Sequence, residues 1–94
     1  MSVRKTVFIT FGYRHGEPPT ADYTVDVRDL RHDYDEWKKE AKAIIQKIEP
    51  GSVVAIGCHD GDDRSVQIAT LIQKYMDNVT IAHRDLSTEA NDKD

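Results

Sequence analysis

The chain has 94 residues, 38% of them hydrophobic and 32% charged, with a formal net charge of −4. That length supports one small core and leaves no room for a second. No stretch approaches the ~20 apolar residues of a membrane span, and the overall charge repels nucleic acid unless a local basic patch overcomes it. The lone cysteine, Cys58, cannot form an internal disulfide and agrees with a reducing compartment. The opening residues, Met1 to Lys5, lead directly into a strand-like run with no small-residue cleavage site, so the expected location is cytoplasmic.

In chain order, residues 5–11 (Lys5-Thr6-Val7-Phe8-Ile9-Thr10-Phe11) are β-branched and aromatic and predict a buried strand. Residues 12–19 carry two glycines and two prolines and predict a loop, with Arg14 and His15 just past the strand. Residues 23–27 predict a second strand running into Arg28. Asp33-x-x-Glu36 has the spacing of a capping box, with Asp in place of Ser or Thr. The helix that follows places Trp37, Ala41, Ile44, Ile45 and Ile48 on one face, and Lys38, Lys39, Lys42 and Lys47 elsewhere. Glu36, Glu40 and Glu49 interleave with these lysines, which favours a solvated helix face over an RNA-binding one.

Pro50-Gly51 predicts the stop of this helix. A strand over 52–56 then enters the loop Gly57-Cys58-His59-Asp60-Gly61-Asp62-Asp63, and a second helix runs from about Arg64 to Met76. Its expected buried stripe is Val66, Ala69, Ile72, Tyr75 and Met76; Trp37, Tyr75 and Met76 are all expected in the core. Residues 79–83 predict the last strand, followed by Arg84-Asp85-Leu86. The polar tail from Ser87 to Asp94 has no periodicity and is expected to be disordered.

Strands alternating with helices predict an α/β domain over residues 1–86: a mostly parallel four-stranded sheet with two main helices. Ligands of such sheets bind beyond the carboxyl ends of the strands. Here those ends carry Arg14 and His15, Arg28, the loop from Cys58 to Arg64, and His83 with Arg84 and Asp85. The loop itself is a strand turning into a helix N-terminus, where backbone N–H groups and the helix dipole favour an anion.

Each constellation has more than one reading. Cys58-x5-Arg64-Ser65 matches the cysteine–arginine loop of tyrosine phosphatases, which needs a thiolate nucleophile and an arginine on the phosphate oxygens. Three aspartates in the same loop disfavour both thiolate and phosphate, and a packed cysteine is the commoner role. Arg64 is a cation at the wrong end of a helix, so it is either an anion ligand or paired with Asp60 or Asp62. Arg28 is either a phosphate ligand or the partner of Asp22, Asp26 or Asp85. His59, Asp60, Asp62 and Asp63 offer oxygen-rich ligands suited to Mg²⁺ or Ca²⁺, but an acidic turn with Asp63 as helix N-cap explains them more simply. No metal and no cofactor is therefore expected.

Four blocks occur in a characteristic order: Phe11-Gly12-Tyr13-Arg14-His15-Gly16, Asp22-Tyr23-x-x-Asp26-Val27-Arg28, Ala55-Ile56-Gly57-Cys58-x-x-Gly61-x-x-Arg64-Ser65-Val66 and His83-Arg84-Asp85-Leu86. Together they cover about residues 7–86, and the ordered set resembles the C-terminal domain of the RapZ RNase adapter family. The resemblance implies a phosphofructokinase-like α/β domain that senses an amino-sugar phosphate and, in RapZ, contributes to binding small regulatory RNAs. The sequence departs from that pattern in several places. It has no counterpart of the family's kinase-like P-loop domain, so ATP or GTP binding is not carried over. The segment after Arg28 is short, Asp60, Asp62 and Asp63 make the cysteine loop acidic, and the tail lacks the basic cluster that holds RNA.

The expected function is a non-catalytic sensor of a phosphorylated sugar or similar small anion. Arg28, Cys58, Gly61, Arg64 and Ser65 would cradle the anion; Arg14, His15, His83 and Asp85 would contact the rest of the ligand. The alternatives are an RNA- or protein-binding regulatory module using the same surface and, last, a cysteine phosphatase acting through Cys58 and Arg64. The sequence leaves the oligomeric state open.

Overall fold

A computed structural model describes residues 5–61 and 63–85; Leu86, the expected tail from Ser87 to Asp94, and Asp62 lie outside the described residues. The elements are β1 (Thr6–Gly12), a single 3-10 turn (Tyr13–His15), β2 (Tyr23–Asp26), α1 (Tyr34–Lys47), β3 (Val53–Cys58), α2 (Arg64–Tyr75) and β4 (Val79–His83). The four strands form one sheet in the order β2-β3-β1-β4, and every pairing in it is parallel. The α/β architecture expected from the strand–helix alternation is the one observed.

Strand register divides the sheet into two faces. Phe8, Val54 and Ile81 stand in one row and Thr10, Ile56, Val25 and His83 in the next. This face packs against both helices in a core that joins Phe8, Val25, Val54, Ile56 and Cys58 to Ala41, Ile44 and Ile48 near α1 and to Ile68, Leu71 and Ile72 of α2. Chain direction explains why both helices share a face. The β2-to-β3 and β3-to-β4 crossovers run the same way across the sheet, and right-handed connections put them on the same side. The β1-to-β2 connection runs the other way, so the same rule carries residues 13–22 over the opposite face, where Phe11, Ala55 and Gly57 are buried.

Three local expectations are corrected. β3 extends two residues further than 52–56, because Gly57 and Cys58 pair with Phe11 and Gly12 of β1; Cys58 therefore belongs to a central strand and not to the loop. α1 ends at Lys47, with Ile48 already extended and its N–H returning to Ile44, so Pro50-Gly51 forms the next turn and is not the helix stop. α2 buries Ser65, Ile68, Ala69, Leu71 and Ile72, a stripe rotated from the expected one. Tyr75 is consequently 44% exposed, while Trp37 and Met76 are partly buried against the core. The capping box forms by half. The Asp33 carboxylate accepts from the Asp35 N–H, but Glu36 turns to the Arg31 guanidinium instead of to the Asp33 N–H.

Candidate functional site

The carboxyl ends of the four strands bring Gly12 to His15, Asp26 to Arg28, Cys58 to Ser65 and His83 to Asp85 to one edge of the sheet. The centre of that edge is closed by contacts between backbones. A Cβ on Gly12 would lie 2.2 Å from the Asp60 carbonyl carbon, so the cysteine loop rests directly on the end of β1. Gly61 faces it from the loop with φ 80°, a left-handed conformation that favours glycine. The Arg14 N–H donates to the His59 carbonyl at 3.0 Å, and the Gly12 N–H donates to the Asp85 carboxylate at 2.8 Å. These bonds tie β1, the loop and the end of β4 into one unit.

Within that unit the loop amides converge on sulfur. The Cys58 thiol is 2% exposed, Sγ lies 3.2 Å from the Ser65 hydroxyl, and it accepts from the Gly61 N–H at 3.2 Å. Burial acts to raise the Cys58 pKa. Hydrogen bonds from Ser65, Asp63 and Gly61 outweigh it and hold the thiol below its ordinary value. The loop thus concentrates N–H and O–H donors at the N-terminus of α2, where the helix dipole adds its positive end. Asp63 occupies the N-cap position, but its side chain makes no capping bond; its carboxylate lies 3.3 Å from the His32 imidazole.

The arginines of the edge divide by partner. Arg14 pairs with Asp60 at 2.9 Å, its side chain 70% exposed. Arg28 pairs with Asp26 at 2.7 Å, choosing among its three candidate carboxylates the one two residues away, and its guanidinium sits 3.9 Å above the Tyr13 ring. The Arg28 hydrogen bonds hold Asp26 below the usual carboxylate range. Arg84 forks onto Asp85 and reaches the Glu17 carbonyl; its hydrogen bond is the chief cause that lowers Asp85. The Arg64 Nε donates to the Leu30 carbonyl, which ties the segment after β2 to the start of α2.

The remaining sequence candidates fall on the rim. His15 and His59 are exposed beside the loop. His83 is half-buried, its Nδ1 lying 2.7 Å from the Thr10 hydroxyl, and burial lowers its pKa. Tyr13 escaped sequence reasoning. It stacks edge-on against Phe11 at 4.9 Å and underlies Arg28; the sequence signal for it was its place in the first of the four ordered blocks, directly after a glycine at a strand end. Among the described residues no group of three or more His, Cys, Asp or Glu side chains is placed to hold a metal ion; Asp62 lies outside those residues. Two of the lysines of α1 lie over aromatic rings, Lys38 over Tyr34 and Lys42 over Tyr75. Two surface concavities lie away from the edge: one of about 390 Å³ at the opposite ends of β2 and β3, the other of about 230 Å³ between α1 and α2. The edge itself is lined by ion pairs, Arg14–Asp60, Arg28–Asp26 and Arg84–Asp85. No helix among the described residues is long and apolar enough to cross a membrane.

No family profile matches the chain. It is similar to proteins named nucleotide-binding protein. One from Ralstonia nicotianae is 28% identical over 120 aligned positions, taking in 89% of this chain and 40% of the relative. One from Petrotoga mobilis is 31% identical over 123 positions, taking in 92% and 43%, and one from Alkalilimnicola ehrlichii is 30% identical over 118 positions, taking in 86% and 41%. The chain thus resembles these proteins over most of its own length while spanning about two fifths of theirs.

Proposed function

We propose that this chain is a non-catalytic domain of the RapZ C-terminal type that binds a small phosphorylated ligand at the carboxyl edge of its sheet. The observation that carries the reading is the meeting of the Gly61 N–H and the Ser65 hydroxyl on one point, Cys58 Sγ, at the start of α2. Such a cluster of oriented donors favours negative charge beside it. The Arg14 guanidinium and His59 stand at its mouth, and Arg28 and Arg84 flank it. The carboxylate partners of Arg14 and Arg28, Asp60 and Asp26, can be exchanged for a ligand phosphate, because exposed ion pairs are worth only about 0–1 kcal/mol. Binding is favoured over phosphatase chemistry because Cys58 is only 2% exposed and so offers little surface to an incoming phosphorus atom.

The phosphate is the shared chemistry, and the remainder of the ligand is either a sugar or a nucleoside. The RapZ resemblance points to an amino-sugar phosphate; the names of the similar proteins point to a nucleotide. A thermal-shift series with glucosamine-6-phosphate, nucleoside mono- and triphosphates and inorganic phosphate separates them. Ligand at a hundredfold excess over Kd stabilises by about 2.7 kcal/mol, which raises the melting temperature of a domain this size by roughly 10 °C or more. Arg14→Ala, at an exposed position, should diminish that shift without lowering the melting temperature of the free protein. No shift with any phosphorylated compound at millimolar concentration would sink the reading, and an undiminished shift in Arg14→Ala would move the ligand off this edge.

A further inference from the structure

The outer edge of β4 carries a row of backbone groups with no strand beside it among the described residues, since β4 closes the sheet order. Which groups these are follows from the ladder. The Thr6 N–H donates to the Asn78 carbonyl at one end, and the Arg84 N–H donates to the Thr10 carbonyl at the other. With Thr6, Phe8 and Thr10 in register with Val79, Ile81 and His83, the even-numbered residues of β4 turn their N–H and C=O groups toward β1. Val79, Ile81 and His83 turn theirs outward. Their side chains lie half-buried on the helix face, and those of Thr80 and Ala82 are exposed on the other face.

Edge strands are ordinarily blunted by charge, proline or a bulge. β4 reads Val79-Thr80-Ile81-Ala82-His83 and has no carboxylate, lysine, arginine or proline. The opposite edge, β2, is shorter and carries Asp26 locked to Arg28. We propose that β4 is a pairing edge whose occupant is the β4 strand of a second copy of this chain, joined antiparallel about a two-fold axis through Ile81.

The edge is complementary to itself in that arrangement. Ile81 meets its own symmetry mate, Val79 meets His83 of the second copy, and every outward N–H and C=O of the three residues finds a partner. Thr80 falls opposite Ala82 of the second copy in the closer, non-hydrogen-bonded pairs of the ladder, where no charges meet. The axis stands perpendicular to the sheet, so the two four-stranded sheets become one and both helix layers remain on the same side. Because each copy presents the same patch, the contact closes on itself and does not propagate into a fibre. It also places the second copy beside His83, at the end of the ligand edge.

The test is the mass in solution of the whole chain, measured by light scattering and sedimentation over micromolar to millimolar concentration. The expected result is a rise from 10.7 kDa toward twice that value. The amides of Val79, Ile81 and His83 should exchange with solvent more slowly as concentration rises. The double variant Thr80→Lys with Ala82→Lys sets like charges opposite each other across the axis, at exposed positions that leave the core untouched. It should weaken the dimer by about a hundredfold. Thr80→Lys with Ala82→Asp instead places opposite charges face to face and should restore dimerisation. A wild-type chain that stays monomeric throughout, a dimer indifferent to the double lysine variant, or a Lys/Asp variant that folds but does not dimerise would each overturn the proposal.

Discussion

His83 joins the carboxyl edge of the sheet to the fold through one hydrogen bond, to a Thr10 hydroxyl that is wholly buried. Burial holds its pKa below the ordinary 6.5. As pH falls through 6.5 the unfolded chain takes up a proton that the folded chain resists, so the stability linked to His83 is intact above that pH and is lost on the way down to the depressed value. Asp26 and Asp85 are also lowered, chiefly by the Arg28 and Arg84 hydrogen bonds. Their contribution is therefore present above pH ~4 and lost as pH falls through their depressed values. Urea midpoints should accordingly decline in two steps on acidification. His83→Gln, which keeps a partner for Thr10, should flatten the upper step and leave the lower one. An upper step of unchanged size in that variant would assign it to another group. From the sequence this residue is legible as a histidine at a strand end inside one of the four blocks, but its Thr10 partner is not, because it lies 73 positions away.

At the scale of the element, α1 shows how local and tertiary forces divide one helix terminus. Asp33 caps the helix as its spacing predicts, because that bond needs nothing beyond the next two residues. Asp33→Ala should cost about 1 kcal/mol of stability, read as a lowered urea midpoint with no change in slope, since the cap is lost without altering what is buried. Glu36 was expected to complete the box and instead meets Arg31, which the bend before the helix brings within 3.0 Å. α2 shows the reverse balance. Its apolar residues permit more than one stripe, and contact with α1 and the sheet selects Ile68, Leu71 and Ile72 while leaving Tyr75 outside. The strand register has a similar effect on β3: pairing with β1 carries the strand on to Cys58 and turns a presumptive loop thiol into a core group.

For the whole molecule, one core bears most of the stability, since both helices lie on a single face of the sheet and share one buried cluster with Phe8. This side chain is fully buried at the centre of the central strand β1. Phe8→Ala should cost about 3–5 kcal/mol, which approaches the ~5–15 kcal/mol that holds a small domain together. We expect the variant to lose most of its cooperative thermal transition in circular dichroism, whereas a transition displaced by only a few degrees would mean that the core is more divided than its contacts indicate. The opposite face of the sheet depends on the short connection over residues 13–22 and on Phe11 and Tyr13, and it contributes less. The two-fold pairing proposed for β4 would extend the helix-covered layer sideways and add nothing to this thinner face.

The amino-acid sequence by itself determined the number and order of strands and helices, the α/β class and the gathering of polar residues at one edge. Alternation and helical spacing are local records of which side of an element is buried, and the handedness of crossovers turns their order into a topology. Tertiary structure alone decided what those polar residues do to one another. The Arg64 Nε found the Leu30 carbonyl, 34 positions back, because the crossover through α1 lays residues 28–33 against the start of α2. Arg14 took Asp60, and Cys58 drew the loop amides to itself, because the close approach of Gly12 and Gly61 folds the loop onto β1. Ion pairs and donor clusters depend on distances of a few ångströms between segments dozens of residues apart, and such distances are set only when the sheet is assembled.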